Sequence, residues 1–264
     1  MTKKCRPMLY CLIVYTIWEI LGFTVQNFLI YAFPQLTNTV LGNYIFTFLA
    51  EFIVFGICFI IFKKQVYSLT NENGTFLFTA LLPVYISVLE DIYILVVNNA
   101  NNQILSLKSV ESFFAILLAT ISISLCEEFI WRKVIFLKLL NEWSKTKKGI
   151  LCSVIISSAL FGLCHYMNML TGNQSFLQTT IQVLSSICMG IFSSGVFYRT
   201  GRIIFPIMIH CIGDFSNLFM NEILNYSYDL PLADTFLQIM VSLLYFIIGV
   251  YVVLTSKKYS TARK

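Results

Sequence analysis

The sequence predicts an all-α polytopic membrane protein with about eight transmembrane helices and both termini in the cytoplasm. Three observations predict it. First, 58% of the 264 residues are hydrophobic and only 12% are charged, with a mean hydropathy of +0.78. A soluble domain carries about 25% charged residues, so the apolar excess is more than one core hides and faces lipid. Second, the apolar residues gather in stretches near the roughly 20 residues a helix needs to cross a hydrocarbon core. Only helices satisfy their own backbone groups there. Third, 17 of the 18 Lys and Arg residues fall at the N-terminus, at the C-terminus and in alternate connections, leaving Lys108 alone on the other side. That bias places both termini inside.

The expected spans are 8–33, 38–62, 76–97, 110–130, 150–169, 176–198, 203–224 and 235–255. The first is too long and too aromatic for a cleaved signal peptide, and no small-residue cleavage site follows it, so it reads as a retained helix. The fourth carries an amphipathic basic extension, FIWRKVIFLKLLNEW, expected to emerge at the cytoplasmic interface. In the sixth span Ser186, Gly190 and Ser194 recur every four residues, a stripe that lets helix backbones approach. The eight cysteines lack paired spacing and read as small buried hydrophobes. No linker, repeat or low-complexity segment divides the chain. One integral membrane domain, 1–264, is expected, with its chemistry in a core of about 110–224. The net charge of +5 suits contact with an anionic inner leaflet and needs no nucleic acid.

Ionisable residues inside a span are costly unless paired or solvated, and so carry the functional question. They are Glu19, Glu51, Glu90, Asp91, Glu127, Glu128, Arg132, His165, His210 and Asp214. Glu128 and Arg132, four apart, share a helix face and suit a structural ion pair. Glu127 points about 100° away and needs another purpose. If the fourth and fifth spans form a hairpin turning within SKTKKG (144–149), Glu127 falls at the depth of His165. A carboxylate beside an imidazole there suits a general base that takes a proton from water. The same pair also suits metal ligation. His210 and Asp214 share a face of the seventh span, with Asn217 one further turn along. By themselves they suit a buried histidine bonded to its own carboxylate, and Phe161, one turn before His165, suits ordinary packing or a pocket wall. Glu19, Glu51, Glu90 and Asp91 belong to no comparable constellation.

Together, EEFIWR (Glu127 to Arg132), FGLCH (Phe161 to His165) and HCIGD (His210 to Asp214) fit the patterns EExxxR, FxxxH and HxxxN/D in order on successive spans. In this the chain resembles the CPBP family of CAAX proteases and bacteriocin-processing enzymes, also called Abi proteins. The resemblance implies an intramembrane endopeptidase acting on a membrane-associated peptide or precursor, such as a leader peptide, bacteriocin or signalling peptide. It implies that Glu127 and His165 activate the attacking water, and that Glu128 and Arg132 support the site. His210 with its partner four residues on would stabilise the oxyanion. The family often has asparagine where this chain has Asp214, and an ionised aspartate is a poor oxyanion donor. A metalloendopeptidase with Zn²⁺ held by Glu127, His165 and His210 stands beside metal-free water activation; no HExxH is present to favour zinc. A non-catalytic bacteriocin-immunity or partner-binding protein of the same fold, and a proton-coupled transporter, are the competing expectations. The second lacks paired helix-breaking segments in its two halves.

Overall fold

A computed structural model describes residues 6–63, 84–89, 92, 110–170, 175–224 and 232–256. Every regular element among them is helical. Helix α1 (Arg6–Ala32) is followed by a single 3-10 turn, Pro34–Asn38, and by α2 (Val40–Phe62). Thr39 starts α2 by accepting a hydrogen bond from the Gly42 amide at 3.0 Å, supplying one of the partners that a helix N-terminus lacks. Helix α3 (Val110–Glu128) runs without interruption through a π-helical segment, Phe129–Phe136, into α4 (Leu137–Trp143). The chain then turns at residues 144–146, and Thr146 caps α5 (Lys147–Cys164). A short α6 (Tyr166–Leu170) follows. Ser175 opens α7 (Phe176–Thr200) with a reciprocal capping box to Gln178. Gly201 closes α7 at φ 67°, a left-handed conformation that glycine adopts without steric cost. Helices α8 (Ile204–Leu224) and α9 (Leu232–Thr255) complete the described chain.

Among the described residues, six stretches are long and apolar enough to cross a bilayer: Arg6–Ala32, Val40–Phe62, Val110–Trp143, Lys147–Met169, Phe176–Thr200 and Thr235–Thr255. Ile204–Met220 is a shorter apolar helix at the place of the seventh expected span. Of the third expected span only residues 84–89 and 92 are described, so most of it, with Glu90 and Asp91, lies outside the described residues. The protein is a multi-pass membrane protein.

The closest helix pairs are α7 with α9, α2 with α3, and α5 with α7. In the first, a Cβ on Gly249 would lie 2.7 Å from the Phe192 backbone, so the two helices meet main chain to main chain. The small-residue stripe works the same way on the other side of α7, where a Cβ on Gly190 would lie 3.0 Å from Ser158 of α5. With little hydrophobic force between helices in lipid, such close approach is what holds them together. Alternating helix directions bring Arg6, Lys63, Lys145, Lys147, Lys148, Arg199 and Arg202 to one end of the bundle.

The basic extension is largely buried against other helices. Ile130, Trp131, Arg132, Val134, Ile135, Phe136, Leu137, Leu139 and Leu140 are each at most 2% exposed. Its cations are absorbed locally. Arg132 pairs with Glu128, while Lys133 lies over the Phe197 ring at 5.1 Å. Lys138 lies over the Tyr10 ring at 5.5 Å and pairs with Glu142 at 3.0 Å.

Candidate active site

The two glutamates close α3 where the helix widens from i→i+4 to i→i+5 hydrogen bonding. Such π segments are rare and recur at functional sites. Glu128 and Arg132 are both fully buried. Arg132 Nη2 donates to Glu128 Oε1 at 3.2 Å, and Arg132 Nε lies 3.0 Å from Oε2 without the alignment of a hydrogen bond. The expected ion pair is therefore present, and it holds a third group. His210 Nδ1, on α8, lies 3.0 Å from Glu128 Oε1. A carboxylate there makes Nδ1 the donor, which fixes the ring and turns Nε2 the other way.

Nε2 faces two further carboxylates. Asp214 Oδ2 lies 3.3 Å away, one turn further along α8, and Glu127 Oε2 lies 3.7 Å away on α3. Glu127 Oε2 is buried and has no hydrogen-bond partner among the described residues. The adjacent glutamates thus address opposite nitrogens of one imidazole.

The hairpin register expected from the turn holds: Trp131 packs on Phe161 with ring centroids 5.7 Å apart, so the end of α5 lies level with the motif. Glu127 nevertheless makes no direct bond to His165 among the described residues; His210, from α8, is its neighbour. His165 sits where α5 ends, and its Nδ1 lies 3.2 Å from the Phe161 carbonyl. Donation to a carbonyl leaves Nε2 of a neutral ring as an acceptor. Cys164 Sγ donates to the same carbonyl at 2.7 Å. Phe161 joins all parts of the site. Its ring packs edge-to-face on His165 and His210, with centroids 5.3 and 5.8 Å away, and carries the Arg132 guanidinium at 4.9 Å. Asn217 is exposed on α8, one turn beyond Asp214.

Sequence reasoning missed two things. One is the bond from Glu128 to His210, which joins residues 82 apart and has no signature in spacing. The other is the part played by the first two helices. Trp18 Nε1 donates to Cys126 Sγ at 3.4 Å, and Tyr15, Trp18, Trp131 and Phe161 form a continuous aromatic wall. Glu51 on α2 lies within electrostatic reach of Glu127, and Glu19 on α1 within reach of Glu51. The aromatic residues on α1, Tyr15 one turn before Glu19 and Trp18 next to it, were the available hint.

Residues 109–216, which hold all three motifs and the π segment, match the family model described as type II CAAX prenyl endopeptidase Rce1-like. That segment is similar to the Rce1-like family. The match agrees with the CAAX-protease resemblance of the motifs and supports, in general, a CAAX-type intramembrane protease. No curated protein and no solved structure matches the chain. The matched segment covers α3 to the middle of α8, while α1, which completes the aromatic wall, and α2 lie outside it.

Among the described residues no three His, Cys, Asp or Glu side chains come together as a metal-holding group. Zinc takes ligands at about 2.0–2.2 Å from nitrogen and oxygen, whereas His210 Nε2 is already engaged by protein carboxylates and His165 Nδ1 by a backbone carbonyl. This arrangement does not fit zinc held by the expected set of Glu127, His165 and His210.

Proposed function

We propose that this protein is an intramembrane endopeptidase that hydrolyses a peptide bond in a membrane-associated peptide or precursor, with Glu127 as the general base. The observation that carries the reading is Glu127 Oε2, a buried carboxylate oxygen without a hydrogen-bond partner, held 3.7 Å from His210 Nε2. Water bound there gives its proton to Glu127, and its oxygen attacks the scissile carbonyl. The proton then passes to the leaving amine as the carbon–nitrogen bond breaks. His210, clamped by Glu128 through Nδ1, presents Nε2 to the developing oxyanion. His165, with Nδ1 committed to the Phe161 carbonyl, offers Nε2 to the water or the leaving group. Glu128 and Arg132 position His210. Asp214 shares His210 Nε2 with Glu127 and keeps a proton on it. An extended substrate segment is required, because a helix hides its scissile bond in its own hydrogen bonds. The basic end of the bundle faces the cytoplasm under this reading, in keeping with the distribution of Lys and Arg, and the protein resides in the cell membrane.

The test is conversion of candidate membrane-anchored precursors, followed by mass spectrometry, in cells making the wild type or Glu127→Ala, His165→Ala or His210→Ala at equal membrane abundance. Loss of the cleaved product in all three is expected. Unchanged cleavage in the Glu127 and His165 variants overturns the reading, and a wild type that protects cells without cleaving any precursor supports an immunity protein instead.

A further inference from the structure

We propose that Gln182 of α7 is a positioning residue for His165 and acts on it through Asn168. His165 sits at a joint in the chain. Its N–H donates to the Gly162 carbonyl at 3.1 Å, and its own carbonyl accepts the Asn168 N–H at 3.0 Å. Both bonds span three residues, so the chain tightens to a 3-10 pattern where α5 gives way to α6. The hydrogen bonds of such a turn are poorer than those of an α-helix. The direction of the His165 side chain therefore depends on what fixes the chain to either side of it.

Adjacent residues of α7 do this on both sides. Before the joint, a Cβ on Gly162 would lie 2.7 Å from the Val183 carbonyl oxygen, so α5 meets the main chain of α7 one turn ahead of His165. Beyond the joint, Asn168 Nδ2 donates to Gln182 Oε1 at 3.1 Å, and Tyr166 OH lies 3.5 Å from Thr180 Oγ1. Asn168 is the bridge to the imidazole, because its backbone holds the His165 carbonyl while its side chain holds α7. Asn168 and Gln182 are both half-buried. A side-chain hydrogen bond between membrane helices contributes only modestly to stability. Its effect on a reaction is larger, since displacing a reacting group by about 1 Å costs up to about 100-fold in rate. The consequence for turnover rests on the peptidase reading, in which His165 offers Nε2 to the water or the leaving group; the placement of His165 does not.

The experiment reads the imidazole directly. The chain has only two histidines, so isotope-labelled histidine in the full chain, in detergent, gives two sets of ring NMR signals, assigned with His165→Ala. Gln182→Leu, which removes the amide at similar size, is expected to shift or split the His165 signals by more than their line width and to leave those of His210 in place. Asn168→Leu should do the same, and the two substitutions together no more than either alone. Gln182→Glu, which keeps the acceptor oxygen, should restore the wild-type signals. Ser242→Ala, which removes the 2.9 Å bond from α9 to Ser185 of α7, should leave both histidines unchanged. On a cleaved precursor, Gln182→Leu should lower kcat by about 10- to 100-fold at unchanged KM, and Gln182→Glu should recover it. Unmoved His165 signals in Gln182→Leu, equal shifts at His210, or failure of Gln182→Glu to restore the signals each overturns the proposal. A wild type that cleaves no precursor while Gln182→Leu still moves the His165 signals overturns the peptidase reading and upholds the positioning of His165.

Discussion

Glu128 holds His210 and Arg132 at once: Nδ1 of the histidine lies 3.0 Å from Oε1, and Nε of the arginine lies 3.0 Å from Oε2. All three side chains are at most 4% exposed. One carboxylate thus neutralises a buried cation on its own helix and fixes an imidazole on another. Removing it leaves the guanidinium buried and alone. Glu128→Ala is therefore expected to cost about 3–5 kcal/mol, read as a lowered unfolding midpoint in detergent. Glu128→Gln, which keeps the acceptor oxygen, should fall between the two. An alanine variant that unfolds at the wild-type temperature would contradict this role.

Glu127 has the opposite profile. It has no hydrogen bond to lose among the described residues, so Glu127→Gln should leave the unfolding midpoint unchanged. Peptide cleavage should drop by at least about 100-fold, the size of a general-base contribution. Activity surviving together with a lowered midpoint would reassign Glu127 to the scaffold.

Asp214 is 35% exposed and touches His210 through one oxygen. An asparagine keeps an oxygen at that place, and Asp214→Asn should therefore retain cleavage within about tenfold, whereas Asp214→Ala should lose about 100-fold or more. If both variants fall equally, the charge rather than the contact is what the site requires. Turnover measured with one precursor distinguishes these results.

Phe161 fills the space between both histidines, Trp131 and Arg132 and is fully buried. Phe161→Ala should cost about 3–5 kcal/mol through the cavity it opens. Phe161→Leu should cost much less in stability while still impairing cleavage, because the edge contacts to the imidazoles are lost. Parallel unfolding and cleavage assays separate the two effects.

Gly249 tests the helix contact that lies away from the chemistry. A side chain there meets the Phe192 backbone at 2.7 Å, whereas one on Gly56 meets nothing within 4 Å. Gly249→Val should reduce membrane accumulation or lower the unfolding midpoint, and Gly56→Ala should do neither. Equal tolerance at both positions would mean that α7 and α9 adjust freely.

Much of this was legible in the residues themselves. Span lengths, the turn at 144–146 and the Glu128–Arg132 pair follow from local rules of hydropathy, capping and helical spacing, which act within a few residues. The depth of His165 opposite the glutamates followed from counting along a hairpin. Which histidine meets Glu127 did not follow, because it depends on how α8 leans against α3, a choice made by packing across the bundle. The burial of residues 129–140 was hidden for the same reason: lysines and an arginine read as surface until their aromatic and acidic partners from other helices are in place. Nor does periodicity announce the π segment, since its residues are as apolar as their neighbours.

That segment sets the angle at which the motif is aimed. With the wider i→i+5 closure between Glu128 and Leu137, α4 is rotated about the common axis relative to α3. The face of α4 that packs on α5 and the face of α3 that presents the glutamates are therefore tied by one irregular stretch of backbone. Trimming a residue between Phe129 and Phe136 would leave a continuous, well-bonded helix of nearly the same length. It would also swing Glu127 and Glu128 by about 100° away from His210. Grafting EExxxR onto a regular helix would reproduce the letters and miss the aim.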